Sequence, residues 1–446
     1  MALSLHAIRA CLEGAVPSAV ATCAPDGTPN VSVLSQVHFV DDAHVALSFQ
    51  FFNKTRENVL AHPRAAVLVI HPETAAQYRL ELEYQRTETE GPLFESMKAK
   101  LAGIASHTGM SGVFKLLGAD VYRVLEIVAV PGNPLPSPPP RRNMLSALRR
   151  CAERITAGAD LGTLLDETLA SLEELLDIRH AMVLMLDGSG QRLYTVASRG
   201  YEQSGVGSEI AMGCGVIGVA ARERTPIRIT HMTAEYSYGR AIRESVEREG
   251  LAGLETAIPM PGLADSRSQL AVPIACGPRL LGVLYVESPE DLRFGYDDED
   301  ALVVIAAQLG LTIHMLQQAA EGQDEAPSIA PSTVPERGAP VAVRHYAADD
   351  SVFIGDDYLI KGVAGAIFWK LLRDYENARR TEFTNRELRL DPAIRLPDIS
   401  DNLEARLILL ERRLAERCRF LRIEKTGRGR FRLNVSRPLK LVEMPG

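Results

Sequence analysis

The sequence predicts a multidomain chain: an antiparallel β-barrel first, an α+β module second, and a small module of helices and a terminal hairpin last. Three observations predict it. The 446 residues exceed what one hydrophobic core organises, at ~100–200 residues per domain. Two segments read as linkers and cut the chain into three. Charge is also unevenly divided: residues 341–446 carry 21 Lys+Arg against 16 Asp+Glu, leaving 28 against 41 for residues 1–340. A basic end on an acidic body is expected where one end meets a polyanion, although a solvated arginine-rich surface gives the same count.

The composition, 46% apolar and 24% charged, excludes collagen-like, disordered and disulfide-scaffold classes for the bulk of the chain. Cys11, Cys23, Cys151, Cys214, Cys276 and Cys418 stand singly, with no CxxC. That pattern argues for reduced thiols in a cytoplasmic protein and against a zinc site built on cysteine pairs. Met1-Ala2-Leu3-Ser4-Leu5-His6 lacks the basic segment of a signal peptide, and no uninterrupted apolar run reaches ~18 residues. Neither a membrane partner nor a metal is expected.

The first linker, residues 131–142, opens on Pro131-Gly132-Asn133-Pro134-Leu135-Pro136-Ser137-Pro138-Pro139-Pro140. Its missing amide donors forbid helix or sheet and favour a semi-rigid polyproline II spacer. The second, residues 319–340, is rich in Pro, Ala, Ser, Glu and Gln, with too little apolar surface to order itself. Three modules remain: 1–130, 143–318 and 341–446.

In the first module, Ser18-Ala19-Val20-Ala21-Thr22-Cys23 reaches a turn at Pro25-Asp26-Gly27-Thr28-Pro29, and Asn30-Val31-Ser32-Val33-Leu34-Ser35 returns from it. Val37–Val40, an Asp41-Asp42 turn and His44–Phe49 follow, then a short helix from Asn53-Lys54-Thr55 and a strand at Ala65–Ile70. Short strands joined by tight turns predict an antiparallel barrel. With the Asn53-Lys54-Thr55-Arg56-Glu57-Asn58 and His62-Pro63-Arg64 motifs in place, this order resembles the pyridoxamine 5′-phosphate oxidase-like split barrel over residues 10–130. The resemblance implies FMN at a dimer interface. It places the phosphate-binding pair on Lys54 and Thr55, the strand along the flavin ring on Ser32, Val33, Leu34 and Ser35, and a further site position on Ser48. A cation at a helix start suits a phosphate on physical grounds as well. The chain departs from the oxidase at Val31 and Gln36, where the oxidase has arginine and lysine, and at Thr55, where the pair has a second basic residue. A barrel kept as a dimerisation scaffold without flavin is the other reading.

In the second module, Leu161, Leu164, Leu165, Leu169, Leu172 and Leu176 repeat at helical spacing. Strands follow at 180–186 and 192–198 around Asp187-Gly188, and later at 227–229, 269–275 and 280–287. Tyr296-Asp297-Asp298-Glu299-Asp300 puts acids in the first turn of a long last helix, where they complement its dipole. Together with Gly213-Cys214-Gly215-Val216-Ile217-Gly218, Leu270-Ala271-Val272-Pro273-Ile274 and Leu281-Gly282-Val283-Leu284-Tyr285-Val286-Glu287-Ser288, this pattern resembles a GAF domain over 145–318. The resemblance implies a small-molecule ligand or a dimerising sensor scaffold, and rarely catalysis. The glycines can cradle an anion or allow close helix–sheet packing, and the second role is commoner. His231 beside Met232, or Cys214, could ligate haem or sense redox state, but such lone residues are more often structural. The segment Met260–Asp265 reads as a loop over the pocket.

In the third module, Val352–Ile354 and Tyr358–Ile360 are short strands, and a helix over 363–377 buries Ile367, Phe368, Leu371 and Leu372. Thr384 with Glu387 forms a capping box. A long helix runs to Cys418, and a hairpin crosses Thr426-Gly427-Arg428-Gly429. Carried by Leu410-Glu411-Arg412-Arg413-Leu414 and by Gly427-Arg428-Gly429-Arg430-Phe431-Arg432-Leu433, this pattern resembles the winged helix of response-regulator-type transcription factors. The resemblance implies that the third helix enters the DNA major groove and the wing touches phosphates. Its core stripe is Leu403, Leu407, Leu410 and Leu414. Arg406 and Arg413 flank that stripe as candidate DNA contacts, and Arg428 and Arg430 sit on the wing. Ile408 and Leu409 stand where polar groups toward DNA are usual, which favours a protein-docking surface instead.

Two functions fit. The leading one is a cytoplasmic, homodimeric sensor-regulator whose flavin-binding or vestigial barrel and GAF domain control a DNA-binding winged helix. The alternative is an FMN-dependent oxidoreductase with a regulatory GAF domain and a protein-docking C-terminal domain. No residue pair identifies a catalytic acid or base.

Overall fold

In the computed structural model the described residues are 3–12, 16–34, 37–49, 54–107, 116–137, 143–230, 258–321, 338–392, 394, 403–427 and 429–444. The first module is built on β1 (Ser18–Cys23), β2 (Pro29–Leu34), β3 (Val37–Phe39), β4 (His44–Phe49), β5 (Arg64–Ile70), β6 (Gln77–Glu88) and β7 (Gly118–Ala129), with helices α1 (Lys54–Ala61) and α2 (Pro92–His107). The turn from β1 to β2 forms because Asp26 Oδ1 accepts the Thr28 amide at 2.9 Å and Gly27 takes a positive φ. Alternation then turns Val20, Val67, Val69, Leu80 and Leu82 inward to one core. The seven strands run β2-β1-β5-β6-β7-β4-β3 in one antiparallel curled sheet. Among the described residues its edge strands β2 and β3 do not pair with each other, so the antiparallel split barrel expected from the sequence is seen as a curled half-barrel. Edge strand β2 leaves Val31 and Val33 70% and 77% exposed.

The second module contains α3 (Met144–Ala157), α4 (Leu161–Leu176), β8 (His180–Leu186), β9 (Arg192–Arg199), β10 (Glu209–Ala211), α5 (Gly215–Glu223), β11 (Ile227–Ile229), β12 (Ser268–Cys276), β13 (Arg279–Ser288) and α6 (Tyr296–Glu321). Asn143 and Asp160 cap α3 and α4 by accepting the Ser146 and Thr163 amides. The antiparallel sheet runs β10-β9-β8-β13-β12-β11. One face carries α3, α4 and α6 on a large apolar cluster. The other packs Met182, Leu184, Leu193, Ala271 and Tyr285 against Val216, Ile217 and Ala220 of α5. Among the described residues α6 is the one helix long and apolar enough to cross a membrane, at a mean hydropathy of 1.4. Its Leu302, Ile305, Leu309 and Ile313 stripe lies in the large cluster.

The third module comprises β14 (Val341–Tyr346), β15 (Ser351–Ile354), β16 (Asp357–Ile360), α7 (Gly362–Ala378), β17 (Glu382–Thr384), α8 (Asn385–Leu390), α9 (Leu403–Arg417), β18 (Leu421–Gly427), β19 (Arg430–Val435) and β20 (Leu439–Met444). One sheet runs β16-β15-β14-β20 and another β17-β19-β18. Thr384 Oγ1 accepts the Glu387 amide at 3.3 Å, as the capping box requires. The stripe of Leu403, Leu407, Leu410 and Leu414 is buried, as read from the sequence. Strands β14, β17 and β20 were not expected. No gap separates this module's core from that of the second: a single apolar cluster runs from Leu164 and Val196 to Ile408, Leu410 and Phe431.

Candidate functional site

On the half-barrel, the residues assigned to flavin fall at the β2 edge and the start of α1. Thr55, buried, is fixed by its own neighbours: Asn30 Nδ2 donates to its hydroxyl at 2.9 Å, and Ser32 Oγ lies 2.7 Å from it. The hydroxyl is therefore committed inward. Lys54 is exposed and lies 3.5 Å from Glu57. Arg56, the next cation, holds Asp120 at 2.5 and 2.7 Å and lies over the Phe49 ring. Among the described residues, one exposed lysine beside a carboxylate is a weak grip for a doubly charged phosphate. Val33 points outward on β2 and Leu34 inward, while Ser48 lies on β4 opposite Ala119 of β7. Ser35 lies outside the described residues. The structure thus joins Ser32 to Thr55, and Lys54 has Glu57 as its charged neighbour.

In the second module the face toward α5 carries a buried polar group. Gln269 and Glu287 are direct partners across β12 and β13. Glu287 Oε1 accepts the Leu263 amide at 3.1 Å, and Tyr285 donates to Oε2 at 3.3 Å. Burial pushes the Glu287 carboxyl above its ordinary value, and its hydrogen bonds to Ser266, Leu263, Tyr201 and Tyr285 oppose that shift. Gln269 Nε2 donates to Ser266 at 3.2 Å, leaving its buried Oε1 without a partner. The segment from Met260 to Asp265, read as a loop over the pocket, is thereby fastened to β13. Gly218 packs as close helix–sheet contact demands, because a Cβ there would lie 2.4 Å from Ala211 O. Cys214 is exposed at the start of α5, and His231 and Met232 lie outside the described residues.

In the third module Arg406 and Arg413, read as DNA contacts, are only 9% and 3% exposed. Arg406 lies 3.9 Å over the Tyr194 ring of β9, and its buried Nε has no hydrogen-bond partner. Arg413 Nε donates to Leu359 O at 3.1 Å, and burial lowers its pKa. Arg412 donates to Val196 O at 2.9 Å and to Asp166 at 2.7 Å. Ile408 and Leu409, expected at the surface, are buried because the second module covers them. A cleft of about 410 Å³ remains at this seam, between Asp160 and Asp166 on one side and Glu404, Lys425 and Arg430 on the other. Arg430 is half-buried at the start of β19, and Arg428 lies outside the described residues.

Sequence reasoning missed Arg228, which is 1% exposed, donates to Glu299 at 2.6 Å and to Phe294 O at 3.1 Å, and lies over the Tyr296 ring. An arginine in the middle of an apolar strand was the available signal.

A family model described as GAF domain matches residues 160–313, and one described as pyridoxamine 5′-phosphate oxidase matches residues 4–125. The second module is a GAF domain, and the first has a pyridoxamine phosphate oxidase-like fold of the FMN-binding type. No curated protein matches the chain. Among solved structures, the GAF domain of a phosphoenolpyruvate-protein phosphotransferase from Acinetobacter is 22% identical, with a TM-score of 0.31 over 41% of this chain and 97% of that one. An FMN-binding protein from Syntrophomonas wolfei is 18% identical, with a TM-score of 0.23 over 28% and 88%.

Proposed function

We propose that the chain is a cytoplasmic sensor-regulator in which the GAF domain controls a winged-helix module that binds DNA. One observation carries the reading: α9 of the third module rests on β9 and α4 of the GAF domain through Arg406, Ile408 and Arg412. A change in the sensor therefore has a direct route to the output. The order of strands, three helices and a hairpin joined to β17 supports the winged-helix reading. Phosphate contact falls to Arg428 and Arg430 on the wing.

The half-barrel serves as an assembly scaffold rather than a flavin enzyme, since Thr55 and Arg56 are committed to protein partners. A homodimer gains support from Val304, Leu311 and Met315, a stripe of exposed apolar residues along α6, and from exposed Leu145 on α3. All six cysteines are free, which suits a reducing compartment.

The test is retardation of duplex DNA by the full chain across salt concentrations. Changing Arg428 and Arg430 to alanine should flatten the log–log slope by about 0.9 per lost phosphate contact. No salt-dependent binding at low ionic strength, by the full chain or by a variant with α9 uncovered, would overturn the DNA output. The purified protein should be colourless, and flavin bands with turnover of a reduced cofactor would favour the oxidoreductase instead.

A further inference from the structure

A helix that reads the major groove must present several side chains to base edges, and the groove is only wide enough for a helix with one free face. On α9 that face is narrow: Glu411, Ala415, Glu416 and Arg417 are its exposed residues. Leu403, Leu410 and Leu414 enter the third module's own core, while Arg406, Ile408, Leu409 and Arg412 meet the GAF domain. A Cβ on Gly162 of α4 would lie 3.8 Å from Ile408 Cδ1.

The contact extends to the loop over the GAF pocket. Residues 204–208 lie between that loop and α9. A Cβ on Gly205 would meet Pro261 at 2.1 Å. One on Gly207, which has a positive φ, would meet Ile258 at 2.6 Å and Leu409 at 3.5 Å. Ser204 donates to Glu416 of α9. Pro261 and Leu263 belong to the segment that Glu287 fastens, so a shift of this loop presses on Gly205 and Gly207 and through them on Leu409.

The docked state also carries a cost. Arg406 buries a charged donor whose Nε lacks a hydrogen-bond partner, and such a group is expensive to desolvate. A phosphate outside the seam would satisfy it.

We propose that the docked arrangement is an autoinhibited state. The GAF domain covers α9, and movement of the pocket loop, transmitted through Gly205 and Gly207, releases it toward DNA. The inference rests on the DNA-output reading. A ligand releases α9 only by favouring the undocked arrangement through its own differential affinity.

The experiment uses the full chain and a fluorescent mixed-sequence duplex at low salt, with hydrogen exchange of residues 403–417 read in parallel. Asp166→Lys repels Arg412, and Gly207→Ala, strained by its positive φ, pushes Ile258 out of its contact with Gly207. Both leave α9 itself unchanged. Each should speed exchange in α9 and tighten DNA binding by about tenfold or more. Asp166 is exposed on α4, so that variant keeps the test valid if Gly207→Ala fails to fold. A disulfide between Gly162→Cys and Ile408→Cys should suppress binding until it is reduced. Faster exchange with DNA affinity equal to that of the parent protein would overturn the autoinhibition and leave the DNA output standing. Faster exchange with no DNA binding by any variant would overturn the DNA-output reading, and this inference with it.

Discussion

On its barrel side the GAF domain meets its neighbour chiefly through charges and rings, with Ala99 of α2 packed on its α5-side cluster, whereas on its C-terminal side it meets its neighbour through a shared apolar core. At the barrel junction Arg9 pairs with Asp297 and Asp300 at 2.7 Å each, and Arg9, Lys100 and Arg228 all approach the Tyr296 ring. Phe39 of β3 meets the same ring edge-on at 6.0 Å. The half-barrel keeps its own apolar clusters. At the other junction Ile408 and Leu409 join the GAF core directly. Charged contacts between separate cores are sensitive to salt and pH and leave each side able to fold alone. A shared core couples the two sides, so the C-terminal module should report on the state of the GAF domain far more closely than the barrel does.

The largest expected effect is on the shared core. Leu410→Ala removes a fully buried side chain and should cost about 2–5 kcal/mol. In calorimetry it should lower the melting of the GAF domain and the third module together while the barrel transition stays in place. A shift confined to the third module would break the comparison.

A smaller effect is expected at the charged junction. Arg9→Met removes both 2.7 Å pairs to Asp297 and Asp300, and because those carboxylates are exposed the loss should be about 0.2–1 kcal/mol per pair. It should loosen the barrel from the GAF domain, measurable as faster proteolysis between them, without changing exchange in α9.

The smallest effect is a pH dependence. Burial, with Lys100 and Arg228 nearby, holds His38 of β3 well below its ordinary value, so the folded junction keeps it neutral. Stability from this group is full above the ordinary histidine value of about 6.5 and is lost as pH falls below it, toward the lowered folded value. The barrel junction should therefore weaken in mild acid, and His38→Gln should remove that dependence. An acid response that persists in the variant would assign it to another group.

Local pattern carried much of the fold. Alternation set β1 and β2, the Asp26-Gly27 turn joined them, and Thr384 with Glu387 marked the start of α8. Strands β14 and β20 pair in parallel from the two ends of the third module, a match no local window contains. The site was less legible. Lys54 at a helix start is a sequence-level signal, but the capture of Thr55 by Asn30 and Ser32 depends on how β2 lies against α1. Ile408 and Leu409 were conspicuous as apolar residues in the wrong place for DNA contact. That they face the GAF domain of the same chain depends on a contact with α4 more than two hundred residues earlier in the chain.

Scanning calorimetry of the full chain tests the shared core most directly. Two transitions are predicted, one for the half-barrel and one in which the GAF domain and residues 341–444 melt together. A third, separate transition for the C-terminal module, unaffected by Leu410→Ala in the GAF signal, would contradict the account.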